Sequence, residues 1–172
     1  SGLGKYGRNN LCCVDGMGSL VKLFAYFTDF QFEEDNWMKA RMMDSCTNCT
    51  TCLSRCPTGA INGEDFIVNI ERCIPLYNEI QGEFPDWLSS SSHNALMGCL
   101  HCQLSCPANS QVISKVQRLD AVSEEETEKI LQGTPDESLL HSLSSKLRMF
   151  SPEAAPYYFP VIRRNLRVLI GI

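Results

Sequence analysis

Eight of the ten cysteines in this 172-residue chain fall into two arrays whose spacing suits iron–sulfur chemistry. The first array is Cys46, Cys49, Cys52 and Cys56, and the second is Cys73, Cys99, Cys102 and Cys106. Each array ends on a cysteine that is followed by a proline, Pro57 or Pro107. Closely spaced thiolates with a last cysteine before proline are typical of cubane 4Fe-4S clusters, which carry single electrons. The spacing therefore predicts two 4Fe-4S clusters and a role in electron transfer.

The last cysteine of each array is expected to serve the other cluster, because that crossover is the rule in two-cluster ferredoxins. It assigns Cys46, Cys49, Cys52 and Cys106 to cluster one, and Cys56, Cys73, Cys99 and Cys102 to cluster two. The gap between Cys73 and Cys99 is longer than in a simple ferredoxin. No other cysteine lies between the two arrays, however, and this favours Cys73 as the remaining ligand.

Other uses of the cysteines and histidines are weaker interpretations. Structural zinc prefers separated Cys-x2-Cys pairs, and disulfide scaffolds are usually short and lack this clustering. Cys12 and Cys13 are adjacent and point to opposite faces if they lie in a strand, so they are interpreted as ordinary buried thiols. His101 lies between two ligands, where it could tune a cluster by hydrogen bonding or face solvent. His93 and His141 are interpreted as structural.

Composition narrows the function classes. The formal net charge is −5, which offers no electrostatic reason for non-specific nucleic-acid binding. No stretch approaches the roughly 20 apolar residues of a membrane span. The start of the sequence has neither an initiator Met nor the apolar segment of a signal peptide, so a piece of a longer protein is expected. Thiol-rich chemistry of this kind predicts a reducing, cytoplasmic location.

The elements that must position the cysteines are short. Apolar runs at residues 11–14 and 20–27 flank a turn at residues 15–19 and predict a β-hairpin. Residues 65–70 look like a strand, and a short helix is expected to begin at Pro75. Residues 81–94 are expected to form an inserted loop with a helical turn.

Beyond Pro107 the pattern becomes helical. Capping boxes are predicted at Ser123 and at Thr134, and Ser151 is expected to open another turn before an amphipathic segment at residues 162–170. The predicted fold class is α+β, with a β-hairpin before a ferredoxin-like two-cluster core and a helical C-terminal cap. The predicted divisions are residues 1–44, 45–110 and 111–172.

Three motifs make the chain resemble a known family. They are the first array followed by Pro57-Thr58-Gly59-Ala60-Ile61, then Arg72-Cys73-Ile74, then Gly98-Cys99 with Gln103, Pro107 and Asn109 in the second array. This order resembles the double-cluster module of epoxyqueuosine reductases and is similar to that of corrinoid-dependent reductive dehalogenases. The segment with Gly4-Lys5 and Gly18-Ser19 also resembles what precedes the clusters in that family. The resemblance covers residues 1–110.

The resemblance implies an electron-input module of a corrinoid-linked reductase. It implies cobalamin in the full-length protein, with Gly4, Lys5 and Asn10 at the corrinoid border. It also implies a low-potential donor such as ferredoxin or flavodoxin, an acceptor corrinoid or reductase domain, and tRNA only for a true epoxyqueuosine reductase. Catalytic residues would lie in an upstream region, so none is assigned here. The alternative is a stand-alone ferredoxin-type electron carrier.

Overall fold

A computed structural model describes residues 2–34, 37–63, 67–115 and 117–172. The described residues form two compact units built from interleaved segments. The first unit comprises residues from 1–69 and 101–116, and the second comprises residues from 70–100 and 117–172. The three predicted divisions stay a prediction. No helix in the described part of the chain is long and apolar enough to cross a membrane.

A β-hairpin precedes the cysteine arrays, as predicted, but only one of its strands lies in a predicted run. Strand β1 (Lys5–Tyr6) pairs antiparallel with β2 (Cys12–Cys13). The residues after β2 turn back on themselves, because Val14 N donates to Gly18 O at 2.9 Å. Residues 20–27 therefore do not form the second strand of the hairpin. Their side chains are mostly exposed and their backbone is irregular.

Short helices carry the cysteines of the first unit. They are α1 (Thr51–Arg55) and α3 (His101–Leu104), which pack against each other, with 3-10 turns at Asp44–Cys46 and Pro107–Asn109. The strand expected at residues 65–70 is not found in its described part. Residues 65 and 66 lie outside the described residues, residues 67–69 are irregular, and a 3-10 turn at Ile70–Arg72 follows.

The first part of the second unit agrees with the prediction of short helical turns. Helix α2 (Ile74–Asn78) has Pro75 in its first turn, and a 3-10 turn lies at Ser90–Ser92 within the expected inserted loop. Asn165 joins this region to the C-terminal helix, because its fully buried Nδ2 donates to Asn78 O and to Leu96 O, both at 2.7 Å.

Three C-terminal helices form the main apolar core, which agrees with the predicted helical C-terminal cap. They are α4 (Glu124–Gln132), α5 (Glu137–Leu147) and α6 (Ala155–Ile170), and a 3-10 turn at Pro152–Ala154 leads into α6. The buried core consists of Ile130, Leu139, Leu143, Phe159 and Ile162.

One helix start is predicted correctly and one is not. Ser123 forms the predicted capping box with Glu126 at the start of α4. Helix α5 is capped by Asp136, whose carboxylate accepts from Leu139 N at 2.7 Å, so the cap predicted at Thr134 is wrong. Aspartate is a stronger N-cap than threonine, and the helix therefore begins two residues later than expected.

Glu126 is expected to make the stability of the C-terminal helices depend on pH. Its carboxylate accepts from Lys146 Nζ at 2.6 and 2.8 Å, from the Ser142 hydroxyl and from Ser123 N. These bonds, led by the one from Lys146, lower the pKa of Glu126 to about 2. A lowered pKa stabilises the fold at neutral pH, and this stabilisation is lost as the pH falls from about 5 towards 2.

We therefore expect Glu126→Gln to lower the unfolding free energy at pH 7 by about 1–2 kcal/mol, since glutamine keeps the cap but not the ion pair. Thermal unfolding measured between pH 7 and pH 3.5 should show the gap to the unsubstituted protein closing as the pH falls. Glu124→Gln, an exposed change in the same helical turn, is the matched control and should leave the midpoint unchanged. A gap that is constant with pH would contradict this account.

Candidate metal centre

Four thiols from both arrays line one small pocket of the first unit. They belong to Cys46, Cys49, Cys52 and Cys106. Cys46 ends a 3-10 turn, Cys52 lies in α1, and Cys106 caps the turn at Pro107–Asn109. Cys46 and Cys52 are each only 8% exposed, whereas the other two are half-buried. The structure thus brings together the set that the crossover assigns to cluster one.

The two Cys-Pro steps give the last cysteine of each array an extended backbone. Cys56 ends α1 with an extended backbone, φ −74° and ψ 110°, and Cys106 has φ −72° and ψ 123°. A proline disfavours helical geometry in the residue before it, so the backbone is extended at both of these cysteines. This turn directs Cys106 to the pocket that the first array lines.

Hydroxyl groups lie beside two of the thiols. Cys49 Sγ is 3.4 Å from Thr51 Oγ1, and this contact lowers the pKa of the Cys49 thiol. Burial raises the pKa of Cys56, but hydrogen bonding from Thr58 and nearby backbone amides outweighs it, so the net shift is downward. Burial and neighbouring thiols raise the pKa of Cys52. Hydroxyl donors near the sulfur atoms are one of the means by which proteins set cluster potentials.

Arg8 holds the first cysteine loop in place from outside. Its guanidinium donates to Cys46 O at 2.7 Å, Cys49 O at 3.0 Å, Thr47 O at 3.2 Å and Gly63 O at 3.3 Å. A planar guanidinium can serve several carbonyls at once, whereas an ammonium is a compact charge. Sequence reasoning missed this role, because Arg8 showed only as one basic residue in a glycine-rich stretch.

Replacing Arg8 with lysine should loosen the loop that carries Cys46 and Cys49. We expect iron to be lost to an external chelator about ten-fold faster, the lower range for outer-shell changes at metal sites. The rate is read from the decay of the cluster absorbance after a chelator is added without oxygen. Arg118→Lys, at an exposed arginine, is the control. Equal rates of iron loss in the two variants would show that Arg8 does not stabilise the metal centre.

Two of the cysteines assigned to cluster two lie in each unit, on elements that are packed within that unit. In the first unit, Cys56 ends α1 and Cys102 lies on α3, and these two helices are in contact. In the second unit, Cys73 caps α2, and Asn78 from the end of that helix donates to Gly98 O, next to Cys99. The ligand set of cluster two stays a prediction.

Buried Asn109 ties the second array to the turn at residues 18–19, which follows the hairpin. Sequence reasoning missed this contact too. Asn109 Oδ1 accepts from Ser19 N at 2.7 Å, and its Nδ2 donates to Gln103 O at 2.8 Å. Gly18 fits against it only as glycine, because an added Cβ would lie 2.2 Å from Asn109 Oδ1 at a φ of +66°. The Pro107-x-Asn109 motif was the only sign of this contact in the sequence.

Two of the three residues expected at a corrinoid border line the same cavity, and the third does not. Gly4 and Lys5 line an open cavity of about 320 Å³ together with Cys12. An added Cβ at Gly4 would also lie 2.6 Å from Cys13 O, so the hairpin itself requires glycine there. Lys5 Nζ is 3.2 Å from Asp44 Oδ2. Asn10 lies outside that cavity and forms the hairpin turn with φ 61°.

The chemistry of the thiols fits clusters better than other uses. No two of the ten cysteines, all of which lie among the described residues, are joined by a disulfide. Within the described ranges, no three histidine, cysteine or carboxylate side chains converge closely enough to hold one metal ion. Each thiolate of a cubane binds a different iron, so cubane ligands stand farther apart than the ligands of a single ion. The four thiols that line the pocket are the soft donor set that a cubane cluster requires.

Comparison with known proteins identifies the class of this region. Residues 45–109 match the family described as 4Fe-4S double cluster binding domain. The matched segment contains all eight cysteines of the two arrays and both Cys-Pro steps. This part of the chain is thus similar to iron–sulfur double-cluster domains.

The chain as a whole is similar to epoxyqueuosine reductases. The enzyme of that name from Staphylococcus aureus is 35% identical over 109 residues, which are 63% of this chain and 27% of the relative. The structure of epoxyqueuosine reductase from Bacillus subtilis, with its catalytic loop swung out of the active site, superposes with a TM-score of 0.68 at 26% identity. That match covers 99% of this chain and 44% of the other.

A further solved structure is an epoxyqueuosine reductase with an epoxyqueuosine-modified tRNA-Tyr stem loop. It gives a TM-score of 0.67 at 26% identity over 99% of this chain and 44% of that chain. The chain thus spans about a quarter of the length of the curated relatives it matches, and less than half of the length of these solved structures.

Proposed function

We propose that this chain is the electron-input module of a reductase that resembles epoxyqueuosine reductase. The observation that carries the proposal is the pocket lined by Cys46, Cys49, Cys52 and Cys106, which unites thiols from two arrays inside a double-cluster domain. When bound, the clusters supply one-electron transfer at low potential. The proposal includes the ferredoxin-like arrangement of the core and the crossed ligand assignment.

The chain's own residues hold and tune the metal centre in this proposal. Cys46 and Cys52 are the buried ligands of cluster one, and Cys49 and Cys106 close its more open side. Arg8 fixes the backbone of the cysteine loop, and the Thr51 and Thr58 hydroxyls donate to thiolate sulfur once the thiols have lost their protons. Cys56, Cys73, Cys99 and Cys102 hold cluster two.

The corrinoid belongs to the proposal through the family resemblance. Gly4 and Lys5 would form part of its border, since they line the 320 Å³ cavity. Asn10 lies elsewhere, so the described residues provide no complete corrinoid site, and the rest must come from other polypeptide. A ferredoxin or flavodoxin is the proposed donor. A tRNA substrate is proposed only for a complete enzyme that contains this module.

The test is to purify the full chain without oxygen and to count iron and acid-labile sulfide. We expect about eight irons and eight sulfides per chain, and a reduced EPR spectrum broadened by two interacting clusters. About four irons would exclude cluster two from the proposal. Zinc without sulfide would overturn the whole proposal. In a titration with cobalamin, weak binding to the partial site would give a spectral response that a simple electron carrier lacks, and would favour the reductase module.

A further inference from the structure

A cavity of about 380 Å³ in the second unit is lined by three arginine side chains. They belong to Arg163, Arg164 and Arg167 of α6, and Glu83 is the only carboxylate among the described lining residues. The chain as a whole is acidic, with a formal net charge of −5. A concave patch of positive charge on an acidic protein raises the local concentration of an anionic partner. We call this feature the arginine cavity.

One of the three arginines is committed to the fold, and the other two have donors to spare. The Arg164 guanidinium donates to Tyr77 O at 2.8 Å. Among the described residues, Arg163 makes a single hydrogen bond, from Nε to Leu131 O at 3.0 Å, and neither Arg163 nor exposed Arg167 forms an ion pair. A planar guanidinium with unused donors is suited to bind the carboxylates of a partner.

The helix that carries the arginines also holds both cysteine-bearing elements of the second unit. Tyr77 O, which accepts from the cavity wall, lies one turn of α2 from Cys73, about 6 Å along the helix axis. Asn165 donates to Asn78 O at the end of α2, and the Asn78 side chain donates to the carbonyl of the residue before Cys99. A partner bound at the arginine cavity is therefore close to two of the ligands assigned to cluster two.

We propose that the arginine cavity is the docking site of a separate acidic electron-carrier protein that delivers electrons to cluster two. This rests on the proposed function, which supplies the clusters. Electron-transfer complexes are transient and have small interfaces, and opposite charges steer the two proteins together. In the transfer itself the reduced carrier is oxidised by one electron, cluster two is reduced by one electron, and no bond forms or breaks.

A second basic cavity, the 320 Å³ cavity of the first unit, is a poorer docking site for an acidic carrier. Lys5, Lys39 and Arg41 border it, but Asp15 also lines it and Lys5 is paired with Asp44. An ammonium is strongly hydrated and binds carboxylates only as a point charge, whereas a guanidinium binds them with two parallel hydrogen bonds. In the proposed function this cavity also faces the electron acceptor, so a donor bound there would compete with it.

The first test measures how fast an acidic ferredoxin, supplied in its reduced form, reduces the anaerobically purified chain. Arg167→Glu should slow the second-order reaction at low salt by at least about ten-fold, because it replaces a steering charge with a repelling one. The rate of the unsubstituted protein should fall as salt is raised from about 0.01 to about 0.1 M, which shortens the screening length from about 30 to about 10 Å.

The matched control is Arg118→Glu, the same charge change at an exposed arginine that does not line the cavity. It should leave the rate nearly unchanged. Calorimetric titration with oxidised ferredoxin, which transfers no electron, should show weaker binding to Arg167→Glu than to Arg118→Glu. Equal rates and equal affinities in the two variants would overturn the inference.

The second test identifies the cluster at which electrons enter. Cys46→Ala removes a ligand assigned to cluster one and should still be reduced rapidly by ferredoxin, whereas Cys73→Ala removes a ligand assigned to cluster two and should not. The reverse result would overturn the inference. Iron counts and the extent of reduction by dithionite, measured on the same samples, report on the proposed function separately from docking.

The competing occupant of the arginine cavity is the phosphate backbone of a nucleic acid. Affinity for a tRNA stem loop that falls in Arg167→Glu, together with unchanged reduction by ferredoxin, would assign the cavity to nucleic-acid phosphate and would overturn the inference.

Discussion

The Cys106→Ala variant is expected to lose one of two clusters, about four of eight irons, although Cys106 belongs to the second array. Its thiol lines the pocket of Cys46, Cys49 and Cys52, so its removal leaves the first array with three ligands. Cys52→Ala should lose the same cluster. Iron and sulfide counts, together with EPR of the reduced protein, measure both losses.

Double variants identify which cysteines share a cluster. Cys52→Ala with Cys106→Ala should retain about four irons, like each single variant, because both changes damage the same site. Cys56→Ala with Cys106→Ala should retain almost none, because the two positions serve different clusters. Cys12→Ala, outside both arrays, is the control and should retain all of the iron. Reversed results for the two double variants would overturn the crossover.

Asn109→Ala is expected to be the most destabilising polar substitution in the first unit. It leaves buried Ser19 N without its acceptor and half-buried Gln103 O without its donor, and each lost partner costs up to about 1–3 kcal/mol. For a protein of this size, the combined loss should lower the thermal midpoint by about 5–15 °C. Because Ser19 N loses its acceptor, hydrogen exchange at Ser19 should also speed up.

The control for this substitution is Asn94→Ala, at an exposed asparagine. It should leave the midpoint within about 2 °C of the unsubstituted protein. If Asn109→Ala had an equally small effect, the buried network would not connect the second array to residues 18–19.

The helices could be predicted from the sequence because their signals are local. The Ser123 capping box, the turn at Ser151 and the helix at Pro75 each depend on residues within one or two turns, and all three are confirmed. The spacing of the cysteines likewise indicated a double-cluster domain, which the family match at residues 45–109 confirms. The ligand assignment stays a prediction.

The features that sequence reasoning missed depend on distant contacts. Arg8 lies roughly 40 residues before the carbonyls it serves, and Asn109 lies 90 residues after Ser19. Neither contact has a local pattern. One strand of the hairpin was misplaced for a related reason, since residues 20–27 carry strong strand character but pair with no strand among the described residues of the first unit.

The crossed pocket has a consequence for how the protein is made. Cys46, Cys49 and Cys52 leave the ribosome together, but Cys106 is synthesised roughly 50 residues later, about 3–10 s at about 5–20 residues per second. For that interval the nascent chain holds only three of the four ligands assigned to cluster one. If the crossed assignment holds, cluster one cannot be completed before the second array has been synthesised.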